Sequence, residues 1–88
     1  MKIKKGFMLC PVMGKTMAIS TGELEKEFPG MIKMNESATD IWKWIDEGRE
    51  VEEIYRLYAT TYGIDDALAH KEVDDVVRMM TEAGVIEN

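Results

Sequence analysis

The spacing of apolar residues changes character partway along the 88-residue chain. From residue 7 they come in short extended runs: Phe7-Met8-Leu9-Cys10, then Pro11-Val12-Met13, and, after Gly14-Lys15, Thr16-Met17-Ala18-Ile19. Two apolar runs around a glycine-containing turn predict a β-hairpin over residues 7–20. Pro11 has no N–H to give to a ladder, so it belongs at an edge, a bulge or a strand end. Ser20 or Thr21 can cap a short helix over residues 23–28, which Pro29-Gly30 would close. Met31-Ile32-Lys33-Met34 then predicts a third strand, with Ile32 and Met34 on one face and Met31 and Lys33 on the other.

After Met34 the period becomes helical. Asn35 is a good N-cap, Glu36 suits the first turn, and Ala38, Ile41, Trp42 and Ile45 follow at i, i+3, i+4 and i+7. Gly48 fits the left-handed position beyond the last turn, where a Cβ would clash. Val51, Ile54, Tyr55, Tyr58 and Tyr62 predict a second amphipathic helix, with Glu52 and Arg56 spaced to pair and Gly63 as the stop. A third helix starts at Asp65 or Asp66 and carries Ala69, Val73, Val76, Val77, Met80 and Ala83 before Gly84, and Val85-Ile86 packs back as an apolar tail. Three short antiparallel strands followed by three helices make an α+β fold, in an order that resembles a winged helix with its wing first. A chain this short builds one core, so residues 1–88 are read as one domain without internal repeats.

Composition narrows what this domain does. Hydrophobic residues at 45% and charged residues at 32% support a packed globule. The apolar run at residues 7–13 is too short to span a bilayer, contains Pro11 and lacks a cleavage signature, so no membrane partner is expected. Cys10 is the one cysteine and cannot form an internal disulfide, which makes the cytoplasm the default location. Seventeen acidic residues against eleven basic ones give a net charge of -6, a field that repels phosphate backbones and argues against a nucleic-acid partner. A winged-helix DNA reader remains an alternative on element order. Helix three, however, offers only Lys71 and Arg78 among Glu72, Asp74, Asp75 and Glu82.

Convergent reactive groups are missing from the sequence. His70, the one histidine, lies beside Lys71 and Glu72 without a second ligand at metal spacing, and reads as a solvated surface residue. Cys10 has no adjacent base and reads as a small buried hydrophobe. Asp65-Asp66 and Asp74-Asp75 are neighbours whose side chains diverge on a helix, so they read as a cap and a solvated face. Gly14-Lys15-Thr16 lacks the first glycine of a phosphate loop and precedes a strand. Neither Ser20 nor Ser37 has the neighbours of a phosphopantetheine-bearing serine. The expectation is a protein that is not an enzyme and holds no cofactor and no metal.

Adaptable apolar surface is abundant instead. Five of the eight methionines, Met8, Met13, Met17, Met31 and Met34, fall in the predicted strands, and methionine conforms to irregular partners. Strand alternation favours core positions for Met17 and Met34, less so for Met31. Trp44 lies off the helix-one stripe and either covers the sheet or anchors another protein. A structural homodimer, joined through the methionine-rich strands or Trp44, is the second alternative.

Met31-Ile32-Lys33-Met34-Asn35-Glu36-Ser37-Ala38 followed by Ile41-Trp42 resembles the PqqD family, which shows an apolar residue, Asn-Glu-small-Ala, and an Ile-Trp pair. The likeness continues through Asp46-Glu47-Gly48, Val51-Glu52-Glu53-Ile54, Tyr62-Gly63-Ile64-Asp65 and Glu82-Ala83-Gly84-Val85-Ile86. The resemblance implies a winged-helix-like, non-catalytic domain that binds the leader segment of a ribosomally made precursor peptide. It would present that precursor to a modifying enzyme, in PqqD-type systems a radical S-adenosylmethionine protein. It further implies that the leader adds as a strand beside Met31, Ile32, Lys33 and Met34, over a groove drawn from Val73, Val76, Val77 and Met80 of helix three. The methionine-rich strands and the insertion at residues 23–28 depart from the family pattern.

Overall fold

A computed structural model describes residues 1–22 and 31–87. Along the chain run β1 (Lys2–Ile3), β2 (Phe7–Val12), β3 (Lys15–Ser20), β4 (Met31–Met34), α1 (Glu36–Asp46), α2 (Val51–Tyr62), α3 (Asp66–Glu82) and β5 (Ile86–Glu87). The helix expected at residues 23–28 lies outside the described residues.

The main sheet is antiparallel in the order β2-β3-β4. Val12 pairs with Lys15, so the hairpin closes on the two residues Met13 and Gly14, one place earlier than the expected Gly14-Lys15 turn. Both turn residues have positive φ, 50° at Met13 and 79° at Gly14. That is the pairing a tight hairpin needs to match the right-handed twist of its strands. Gly14 adopts it freely, whereas Met13 does so against the Cβ clash every L side chain meets there. Pro11 takes its place in β2, an edge strand, where a missing donor costs the ladder nothing.

Register sorts the strand residues onto two faces. Phe7 and Leu9 share the inner face with Ala18, Ile32 and Met34, and all five belong to or pack on the buried core. The opposite face carries Met8, Cys10, Val12, Met17, Ile19 and Met31, with Lys15 and Lys33 among them. Met17 therefore departs from the expected core position. It stands between Cys10 and Lys33, half-buried, on the side of the sheet away from the core. Cys10 likewise is half-buried on that outer face.

The helices follow the predicted stripes. Asn35 caps α1 by accepting from the Ala38 N–H at 2.8 Å, and Asp65 caps α3 by accepting from the Leu68 N–H at 2.8 Å. Gly48 beyond α1 and Gly63 at the end of α2 both occupy the left-handed region. Ala38, Ile41, Trp42 and Ile45 are buried on α1, Ile54 and Tyr58 on α2, and Ala69, Val73 and Met80 on α3. Trp44 is half-buried and packs on this core. Glu52 and Arg56, spaced to pair, form no ion pair; Glu53 instead binds Arg49 at 2.9 Å.

One ladder escaped the sequence pattern. Lys2 and Ile3 pair with Glu87 and Ile86, tying the two ends of the chain together. The Val85 carbonyl, in line with this ladder, accepts from the Lys4 N–H at 2.7 Å, and Val85 itself is fully buried. The apolar tail does pack back, and it does so as a strand. No described helix is long and apolar enough to cross a membrane.

Candidate functional site

A strand at the margin of a sheet leaves every second N–H and C=O pointing away from its neighbour. The main sheet has two such margins, and they differ. On β2 the outer edge is interrupted by Pro11, a residue that discourages strand addition. On β4 the sequence Met-Ile-Lys-Met contains no proline, and among the described residues β3 is the strand's one neighbour. Among the described residues, β4 is therefore the margin that carries neither a proline nor a second neighbour.

The side chains of β4 divide as their alternation requires. Met31, 59% exposed, and Lys33 lie on the outer face, whereas Ile32 is half-buried and Met34 is fully inside. On α3, Val73 and Met80 are completely buried, and Val76 and Val77 are half-buried against the same core. The structure thus separates the sequence-derived residues into two sets. Met34, Val73 and Met80 belong to the one buried core cluster, while Met31, Ile32, Lys33, Val76 and Val77 keep solvent-exposed surface. Met79, 36% exposed, adds an apolar side chain to α3 that the stripe did not single out.

Three tyrosines tie the helices to one another. All lie on α2, and each hydroxyl donates to a carboxylate on another helix: Tyr62 to Asp40 of α1 at 2.5 Å, Tyr55 to Asp74 and Tyr58 to Glu72 of α3 at 2.5 and 2.6 Å. The hydrogen bond to Asp74, and then burial, pushes the Tyr55 hydroxyl up to about 12. Burial first, and then Asp40, raises Tyr62, and burial first, with Glu72, raises Tyr58. Each phenol is thereby held as a neutral donor. Tyr55 also stacks on the exposed His70 with ring centroids 3.9 Å apart, and Asp75 pairs with Lys71 and Arg78. These contacts give Asp74 and Asp75 structural partners rather than a shared ligand. Among the described residues no cluster of His, Cys, Asp and Glu has the geometry to hold a metal ion.

A three-stranded antiparallel sheet with three helices that are tied together through the tyrosines of α2 defines an α+β module. The sequence profile of the family described as Coenzyme PQQ synthesis protein D (PqqD) matches residues 20–86, and the chain belongs to that family. Among solved structures, one described as "TbiB1 in Complex with the TbiA(beta) Leader Peptide" superimposes with a TM-score of 0.82 at 18% sequence identity, covering 100% of this chain and 96% of that one. At that identity the likeness establishes the shared fold. No curated protein is significantly similar in sequence.

Proposed function

We propose that this protein is a non-catalytic, cytoplasmic receptor that captures the leader segment of a ribosomally made precursor peptide and presents it to a modifying enzyme. In PqqD-type systems that enzyme is a radical S-adenosylmethionine protein, and we take it as the partner here. The observation that carries the reading is the proline-free β4 margin, with β3 as its one described neighbour, in a chain of the PqqD family. A protein of the same fold has been solved in complex with a leader peptide.

Capture would proceed by β-augmentation, in which backbone pairing supplies affinity and side-chain pockets supply choice. A four-residue strand offers about four outward backbone groups, each worth about 1 kcal/mol net. Association costs at least that much in lost freedom, about 4 kcal/mol or more. Apolar anchors must therefore decide binding, at about 1.5 to 3 kcal/mol for each side chain buried. Ile32, Val76 and Val77 are placed to contribute, being half-buried around the core that Met34, Val73 and Met80 fill.

Titration calorimetry with synthetic leaders of candidate precursor peptides from the host genome tests the reading. Val76→Asp and Lys33→Pro, each checked for folding by circular dichroism, should weaken binding by tenfold or more. Unchanged affinity in both folded variants would remove β4 and α3 as the site.

A further inference from the structure

The outer face of the main sheet is largely apolar, and none of its residues belongs to the buried core or is among those packed against it. One row of it crosses all three strands: Met8 pairs with Ile19, and Ile19 with Met31. Met8 is 49% and Met31 59% exposed. Met17 lies in the adjacent row, and Lys15 and Lys33 project from the same face. Charge is segregated to match. In the sequence, residues 1–34 carry six lysines against three glutamates, whereas residues 35–88 carry fourteen carboxylates against five basic groups. A surface that pairs methionines with lysines suits a partner whose apolar contact is ringed by acidic side chains.

Size and geometry decide between occupants. Strands of six, six and four residues make a face of about 300 Å² from strand rise and spacing. That is well short of the roughly 800 Å² per partner of a stable interface, which argues against a second copy held by this face alone. A weak contact that something else completes fits better. A strand added at the β4 margin would extend this face by one row, and every second side chain of that strand would point outward beside Met31 and Lys33.

We propose that the Met8, Met17, Ile19 and Met31 face, with Lys15 and Lys33, docks the peptide-modifying enzyme, and that a leader bound at β4 enlarges the docking surface. The enzyme then reads receptor and cargo together, and engages the loaded protein in preference to the empty one. This rests on the leader-capture reading above.

The test uses the full chain, a synthetic leader and a peptide-modifying radical S-adenosylmethionine enzyme from the same genome, with leader and enzyme affinities measured separately. In the unaltered protein, saturating leader should raise enzyme affinity at least fivefold. Met8→Glu, at an exposed position two strands from β4, should leave leader affinity within twofold and lower enzyme affinity at least tenfold. Lys15→Glu should lower it at least threefold. Enzyme affinity unaffected by both variants while leader binding persists overturns the docking face alone. Sedimentation showing a dimer of this chain that Met8→Glu dissociates also overturns it, by assigning the face to a second copy. Failure of the unaltered protein to bind the leader at all overturns the capture reading beneath it.

Discussion

The Tyr62 hydroxyl on α2 donates to the Asp40 carboxylate on α1 across 22 residues of sequence, at 2.5 Å. With the Tyr55–Asp74 and Tyr58–Glu72 bonds it fastens α2 to both other helices. Removing the hydroxyl leaves a half-buried carboxylate without that donor. Tyr62→Phe should therefore destabilise the fold by about 1 kcal/mol, read as a lower urea midpoint with an unchanged m-value.

The same bonds set an alkaline limit. Folding raises the pKa of all three phenols, Tyr55 to about 12, above an unfolded value of about 10. Their contribution is fully present below pH 10 and is lost as pH rises through the folded values. Stability should fall between pH 10 and 12, and Tyr55→Phe should flatten that slope. An equal slope in the variant would assign the loss to other groups.

Met13 holds φ at 50° at the hairpin tip, where its side chain is 96% exposed. Asparagine tolerates this region better, because its short polar side chain bonds locally. Met13→Asn should raise stability by about 0.5 to 1 kcal/mol, visible as a higher Tm. No change would mean that the turn relaxes without cost.

Asn35 joins β4 to α1, and its side chain accepts from the Ala38 N–H. Asn35→Ala should cost about 1 kcal/mol of stability. In thermal melts it should lower Tm, while leader affinity at a temperature where the variant remains folded stays close to the original.

The helices were legible in the sequence because their signals are local. The caps at Asn35 and Asp65, the stops at Gly48 and Gly63, and the 3.6-residue stripes all act within one or two turns. Strand faces depend on register, and register is set by partners distant in sequence. Met17 shows this: alternation within a nearly all-apolar run favoured the core, and its pairing with Cys10 and Lys33 assigns it to the outer face instead. The β1–β5 ladder was invisible because it consists of two residues at each end of the chain. The turn at Met13-Gly14 was missed by one residue because methionine carries no turn signal. Of the candidate site, the strand itself could be read directly, with Met31 and Lys33 outward. Which α3 residues keep surface could not, since Val73, Val76, Val77 and Met80 lie on one continuous stripe and burial alone separates them.

Backbone N-methylation along the synthetic leader tests strand addition at β4 most directly, because it alters no residue of the protein. An added strand donates every second N–H to the receptor and points the others away. The account predicts affinity losses that alternate with a period of two over about four residues, each loss about fivefold or more. Losses without that alternation, or none at all, would contradict it.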